Sequence, residues 1–243
     1  MPLDGWQGLQ RMESDCSTWT RTEHARELDI IARLLDAYLA GLEDLGHFTI
    51  SEDNELQLAW LLLAARGFNS MRCAQTLLQT GYYAQALALL RSAGEDWLVA
   101  KDCENHRPTL DALLHERGRL GRKDLTLAKM AERVGIGPVW ISDYGSLSEF
   151  AHPRPLSLRA SVEPNTNKLR LGPSYDEVLC LYCCEALLRG ALLMMELVVR
   201  LLGSKGAEWD KLYGPVVCEA GAWLAELRSQ YGDSDTPGDD RLG

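Results

Sequence analysis

Histidine and phenylalanine are scarce: five and three in a chain of 243 residues. The sequence contains no Gly-x-Gly-x-x-Gly turn, no P-loop, no His-Glu-x-x-His helix and no Gly-x-Ser-x-Gly elbow. Dinucleotide binding, P-loop phosphate binding, zincin chemistry and a nucleophile-elbow triad therefore have no motif to rest on. The longest uninterrupted apolar run is LAWLLLAA, residues 58–65. A helical membrane span needs about 20 apolar residues, so none is expected. The opening MPLDGWQGLQRMESD lacks a basic segment followed by an apolar core and does not read as a secretory signal. Cysteine is present but odd in number, seven in all, which argues against a disulfide framework. A reducing cytoplasm is the expected location.

Positive charge is also in deficit. Lys and Arg number 25 against 35 Asp and Glu, a net charge of −10. Such a chain is a poor candidate for coating DNA or an anionic membrane. The charge is uneven, however. Residues 115–172 hold ten Lys or Arg and six Asp or Glu, a surplus of four positive charges, so the remainder carries −14. Arg117, Arg119, Arg122 and Lys123 lie almost side by side. They read either as a solvated loop or as a patch facing an anion or RNA. TLAKMAERVGI has a superficial helix-turn-helix look, but the flanking segments lack the motif's spacing, so sequence-specific DNA reading is not expected.

What is there is helical periodicity. Leu28, Ile31, Leu34, Leu35, Tyr38 and Leu42 recur at helical spacing and predict a helix over 23–45. Further helices are expected over 52–79 with Ser51 as N-cap, 82–104, 108–116, 124–134 ending at Gly135, and 139–151. Two more are expected over 175–202 and 207–231, the last broken at Gly214-Pro215. LSLRASVE and KLRLG flank the turn-rich PNTN, which predicts a small β-hairpin near 156–172. The expected fold class is all-α: a bundle of long antiparallel helices with that hairpin inserted. Residues 1–22 read as loosely ordered, 23–231 as a single helical domain and 232–243 as an acidic disordered tail.

The polar residues inside apolar helices carry the functional argument. In the helix over 82–104, Ala84, Leu87, Arg91, Gly94, Glu95 and Leu98 share one face. Ala86, Leu89, Leu90, Ala93, Trp97 and Ala100 share the opposite face. A helix apolar on two sides is central to its fold. Arg91 and Glu95, at i,i+4, must pair if they are buried. They form either a structural ion pair or the floor of a polar pocket, with Arg66 as company from the preceding helix. Glu185, Arg189, Glu196 and Arg200 form a stripe on the helix over 175–202, read as a partly exposed ridge or a channel lining. Cys180, Cys183 and Cys184 read as core rather than zinc ligands, because no second Cys or His pair lies near in sequence. No metal and no cofactor is expected. His152 sits in YGSLSEFAHPRP, either as a C-terminal helix cap or as a general base beside Ser148, Glu149 and Arg154.

GYYAQALALLRSAGEDW and YGSLSEFAHPRP together resemble an uncharacterised family of bacterial all-helical proteins. Its members carry an Arg-x-x-x-Glu helix and a Tyr-x-x-Leu-Ser-x-x-x-His-Pro segment. The likeness spans about residues 50–202 and falls on Arg91, Glu95, Tyr144, Leu147, Ser148, His152 and Pro153. The chain is also distantly similar to HEPN proteins, helical components of toxin and defence systems. Many of those are metal-independent RNases using Arg, four to six residues, then His. No Arg stands at that spacing before His152. The sequence therefore points to a binding or regulatory protein recognising an anionic ligand through Arg66, Arg91, Glu95, Tyr144 and Arg154. One alternative is an HEPN-like RNase with His152 and Ser148 catalytic. Another is a purely structural partner protein. A homodimer, and an anionic small molecule or RNA, are the expected partners; a membrane is not.

Overall fold

The computed structural model describes residues 5–46, 54–115, 123–152, 162 and 172–231. Those residues are overwhelmingly helical, and among them no strand is present. The chain is all-α. The helices are α1 (Gly5–Glu23), α2 (Ala25–Gly46), α3 (Glu55–Gln79), α4 (Tyr83–Cys103) and α5 (Arg107–Leu114). They continue as α6 (Leu127–Val134), α7 (Gly137–Ala151), α8 (Glu177–Leu202) and α9 (Gly206–Tyr231), with a 3-10 turn at Gly203–Lys205. The hairpin expected near 156–172 lies outside the described residues except for Val162 and Gly172. The acidic tail, 232–243, lies outside them entirely.

Helix boundaries follow from local chemistry. Asp176 Oδ1 accepts from the Leu179 amide at 3.0 Å and starts α8. Gly135 takes a left-handed conformation, φ 84°, and ends α6 as the sequence suggested. Gly81, also at φ 84°, turns the chain between α3 and α4. A Cβ there would lie 2.9 Å from Cys16 Sγ and 3.0 Å from the Ser174 carbonyl oxygen, so only glycine fits. The α3 start differs from expectation. Asn54 is the N-cap, its Oδ1 accepting from the Gln57 amide, whereas Ser51 lies outside the described residues.

Two other segments depart from the sequence reading. Residues 5–23, expected to be loosely ordered, form α1. Its Cys16 and Thr20 are buried, and its Tyr-facing flank is tied down by Glu13, which accepts from the Tyr82 hydroxyl at 2.8 Å. The last helix does not break at Gly214-Pro215 but runs through Pro215. Trp209, Val216, Ala220, Trp223 and Leu224 are buried on both sides of the proline. Packing along the whole face outweighs one missing helical hydrogen bond.

The core sits around α8. Cys180, Cys183, Cys184, Leu187, Leu188, Ala191, Met194, Leu197 and Val198 are fully buried there. They pack against α2, α3, α4 and α9. By length and composition the α8–α9 stretch could cross a membrane, although it has no long unbroken apolar run. In the bundle α8 is the central helix, its buried residues packing on four neighbours. The three cysteines are core residues, as expected. α4 is central too, touching α3, α5, α6, α7 and α8. That position is what its two apolar faces required.

Candidate functional site

Arg91 and Glu95 lie one turn apart on α4, and Arg91 Nη2 stands 2.8 Å from Glu95 Oε1. The pair is mostly buried, with side-chain exposures of 20% and 25%. α7 crosses the same face. Its Trp140 ring comes within 4.0 Å of where a Cβ on Gly94 would be, and its Tyr144 meets Arg91 and Glu95. Arg91 donates to the Tyr144 hydroxyl, and that hydroxyl donates to Glu95 Oε1 at 2.7 Å. The Arg91 guanidinium carbon also lies 4.7 Å from the Tyr144 ring centre. The Trp140 ring stacks on Tyr144 at 4.7 Å and 17°. Burial, then the hydrogen bond to Glu95, pushes the Tyr144 phenol up, against the opposing effect of Arg91. Tyr144 thus stays a neutral donor and acceptor at physiological pH.

Ser148 follows Tyr144 by one helical turn and points the same way. It is 8% exposed, and its hydroxyl has no hydrogen-bond partner among the described residues. The buried Nε of Arg91 is in the same condition. Two buried donors on facing helices are thus left without acceptors among the described residues.

The remaining expected site residues fall differently. Arg66 does not join Arg91. Its guanidinium forks onto both oxygens of Asp96, with Nε 2.9 Å from Oδ2. Asp96 is fully buried while the Arg66 side chain is 63% exposed. Burial raises the Asp96 carboxyl, and the Arg66 hydrogen bonds only partly oppose this. Arg66 remains within electrostatic reach of Glu95. His152 is the exposed C-cap residue of α7, in extended backbone. Ser148 makes no hydrogen bond to it. Arg154, Arg117, Arg119 and Arg122 lie outside the described residues. Both i,i+4 pairs of the α8 stripe form, Glu185 with Arg189 and Glu196 with Arg200. Glu196 also receives Lys101 Nζ at 3.3 Å and Trp97 Nε1 at 3.4 Å.

A second polar cluster escaped the sequence reading. Asp102, 2% exposed, accepts from Arg133 Nε at 2.7 Å, Arg133 Nη2 at 2.6 Å and Thr109 Oγ1 at 2.5 Å. Burial alone would raise its carboxyl. The hydrogen bonds from Arg133 and Thr109, with the Arg133 charge, outweigh burial and hold it below the usual range. Asp102, Arg133, His106, Lys101 and Glu104 line a cleft of about 240 Å³. Arg133 answers Asp102, and Lys101 answers Glu104 at 2.8 Å, so this cleft has spent its charges internally. One signal pointed to Asp102: it falls on the same α4 face as Arg91 and Glu95, and a buried carboxylate there needs a partner.

Within the fold class, then, the protein is an all-α bundle with a partly buried Arg-Tyr-Glu seam between its central helix and α7. Comparison with family models, curated proteins and solved structures finds no match to the chain.

Proposed function

We propose that the protein is a binding or regulatory protein whose α4–α7 seam holds a small anionic ligand. The observation that carries this reading is the pair of buried donors, Arg91 Nε and Ser148 Oγ, without acceptors among the described residues. Buried donors are ordinarily satisfied, and leaving one unmade costs about 1–3 kcal/mol. A carboxylate or phosphate offers acceptor oxygens to such donors, and the guanidinium would strengthen its bond through charge. Glu95 and Tyr144 hold the Arg91 side chain in place, so little ordering is left for the ligand to bring about. Arg91 and Glu95 cancel in charge, as do Arg66 and Asp96. Recognition would therefore rest on directed hydrogen bonds rather than long-range attraction, with weak dependence on salt.

The test is thermal unfolding of the full chain with acetate, inorganic phosphate and a nucleoside monophosphate, followed by titration calorimetry. At least one anion is expected to raise the wild-type midpoint. The rise should vanish in Arg91→Met/Glu95→Leu, which removes both charges together, and shrink in Ser148→Ala. Equal responses of wild type and the double variant would refute the reading. RNA cleaved by wild type but not by His152→Ala would replace it with the nuclease alternative.

A further inference from the structure

Outside the seam, Glu55, Asp111 and His115 converge where α3 begins and α5 ends. Glu55 follows the Asn54 N-cap of α3. Asp111 and His115 are at i,i+4 on α5 and its C-cap, which places them on one side of that helix. One ligand atom from each of the three, two carboxylate oxygens and an imidazole nitrogen, all lie within 4.8 Å of one another. His115 Nε2 is 2.6 Å from Glu55 Oε1. A carboxylate can only accept, so this nitrogen carries the proton and donates it. Between the two carboxylates lies the guanidinium of Arg107. Its Nε is 2.7 Å from Asp111 Oδ1, and it pairs with Glu55 Oε2.

We propose that Glu55, Asp111 and His115 form a binding site for a divalent transition cation, with zinc the best match. One imidazole and two carboxylates suit a borderline-soft ion. Ligand atoms held at about 2.0–2.2 Å from one ion are at most about 4.4 Å apart, so small side-chain rotations close the site. The Arg107 guanidinium sits between the two carboxylates and competes for them, and its side chain is 60% exposed. It can move into water at little cost when a stronger cation arrives. The exchange balances. The ion takes an electron pair from each ligand atom, the His115 proton passes through solvent from Nε2 to Nδ1 so that the imidazole stays neutral, and Arg107 leaves the two carboxylates. Two carboxylates and a neutral imidazole then exactly match a doubly charged ion, leaving solvent to complete the coordination.

The experiment uses the full chain after chelator treatment, with Cys73→Ser/Cys218→Ser to remove the two exposed thiols, and zinc alone as the probe. Calorimetry is expected to show one equivalent bound. His115→Ala and Asp111→Asn should each weaken binding at least about tenfold. Arg107→Gln should strengthen it several-fold, because a competing internal cation is gone; a salt bridge that serves structure alone would not produce that gain. Histidine ring nitrogen spectra provide a readout that needs no variant to fold. Zinc should shift one of the five histidines, and His115→Ala should remove that signal. Unchanged affinity in Arg107→Gln, or zinc shifting a histidine other than His115, or none, would overturn the proposal.

Discussion

At the scale of the residue, burial decides what each charged side chain does. Asp102 and Asp96 are both on α4 and both buried, yet their carboxyls move in opposite directions. Asp102 accepts from two Arg133 nitrogens and from Thr109, and those bonds overcome desolvation. Among the described residues Asp96 has only Arg66 as a hydrogen-bond donor, and that side chain is largely in water. The two have opposite consequences for pH. A depressed carboxyl contributes stability that is present above its unfolded value, about 3.9, and lost as pH falls through the lower folded value. Asp102 therefore supports the fold at neutral pH and contributes to acid unfolding. Arg133→Ala is expected to cost about 2–3 kcal/mol at pH 7, read by urea denaturation, because it leaves the buried Asp102 carboxylate without its charged donor. Asp102→Asn should lose stability at pH 7 but show a flatter decline between pH 5 and 3 than wild type. An acid limb as steep as wild type would show that Asp102 is not one of the groups responsible.

Residue chemistry also explains which parts of the seam were legible. Arg91 and Glu95 stood out as charges on an apolar helix at i,i+4, and their pairing followed from that spacing. Tyr144 entered through the Tyr-x-x-Leu-Ser pattern, and it does bridge the pair. Trp140, stacked on Tyr144, was not singled out, because one aromatic on a short helix is ordinarily core. Arg66 was expected beside Arg91 but belongs to Asp96. Both lie on faces that a helical wheel shows, but a wheel does not say which carboxylate of the next helix comes nearest.

At the scale of the element, the helices were readable because their signals are local. Apolar spacing, Gly81 and Gly135, and caps such as Asp176 act within a few residues. The α1 helix and the unbroken α9 were misjudged for the opposite reason. α1 is polar by composition and gains its order from Cys16, Thr20 and Glu13 meeting the rest of the chain. α9 passes through Pro215 because two tryptophans, Trp209 and Trp223, anchor it on either side. They donate to the Ala37 carbonyl at 3.1 Å and to Glu27 Oε1 at 3.1 Å. Glycine offers a paired test at this scale. Gly81→Ala puts a side chain at positive φ against Cys16 and Ser174, and should destabilise by about 1–2 kcal/mol. Gly221→Ala lies in exposed α9 with nothing within 4 Å, and should stabilise by about 0.5–1 kcal/mol. Equal effects of the two in denaturant melts would contradict the turn argument.

At the scale of the whole molecule, α8 joins α2, α3, α4 and α9 into one core. Unfolding is therefore expected to be a single cooperative event. Leu187→Ala, at a fully buried position of α8, should cost about 2–5 kcal/mol. Tryptophans stand on α1, α3, α4, α7 and α9, so fluorescence reports from most of the molecule. The same shift should appear in tryptophan fluorescence and far-ultraviolet dichroism. Two separable transitions would mean that part of the bundle folds independently.

The sequence by itself determined the all-α class, the central place of α4, and the pairing of Arg91 with Glu95. Each depends on periodicity or on neighbours within one helical turn, where spacing alone sets geometry. Only the tertiary structure decided that Arg66 serves Asp96, that Arg133 serves Asp102 and that Glu55 meets His115. Those partners stand 30, 31 and 60 residues apart. Which of them meet is set by how whole helix faces bury their apolar surface, not by any local spacing.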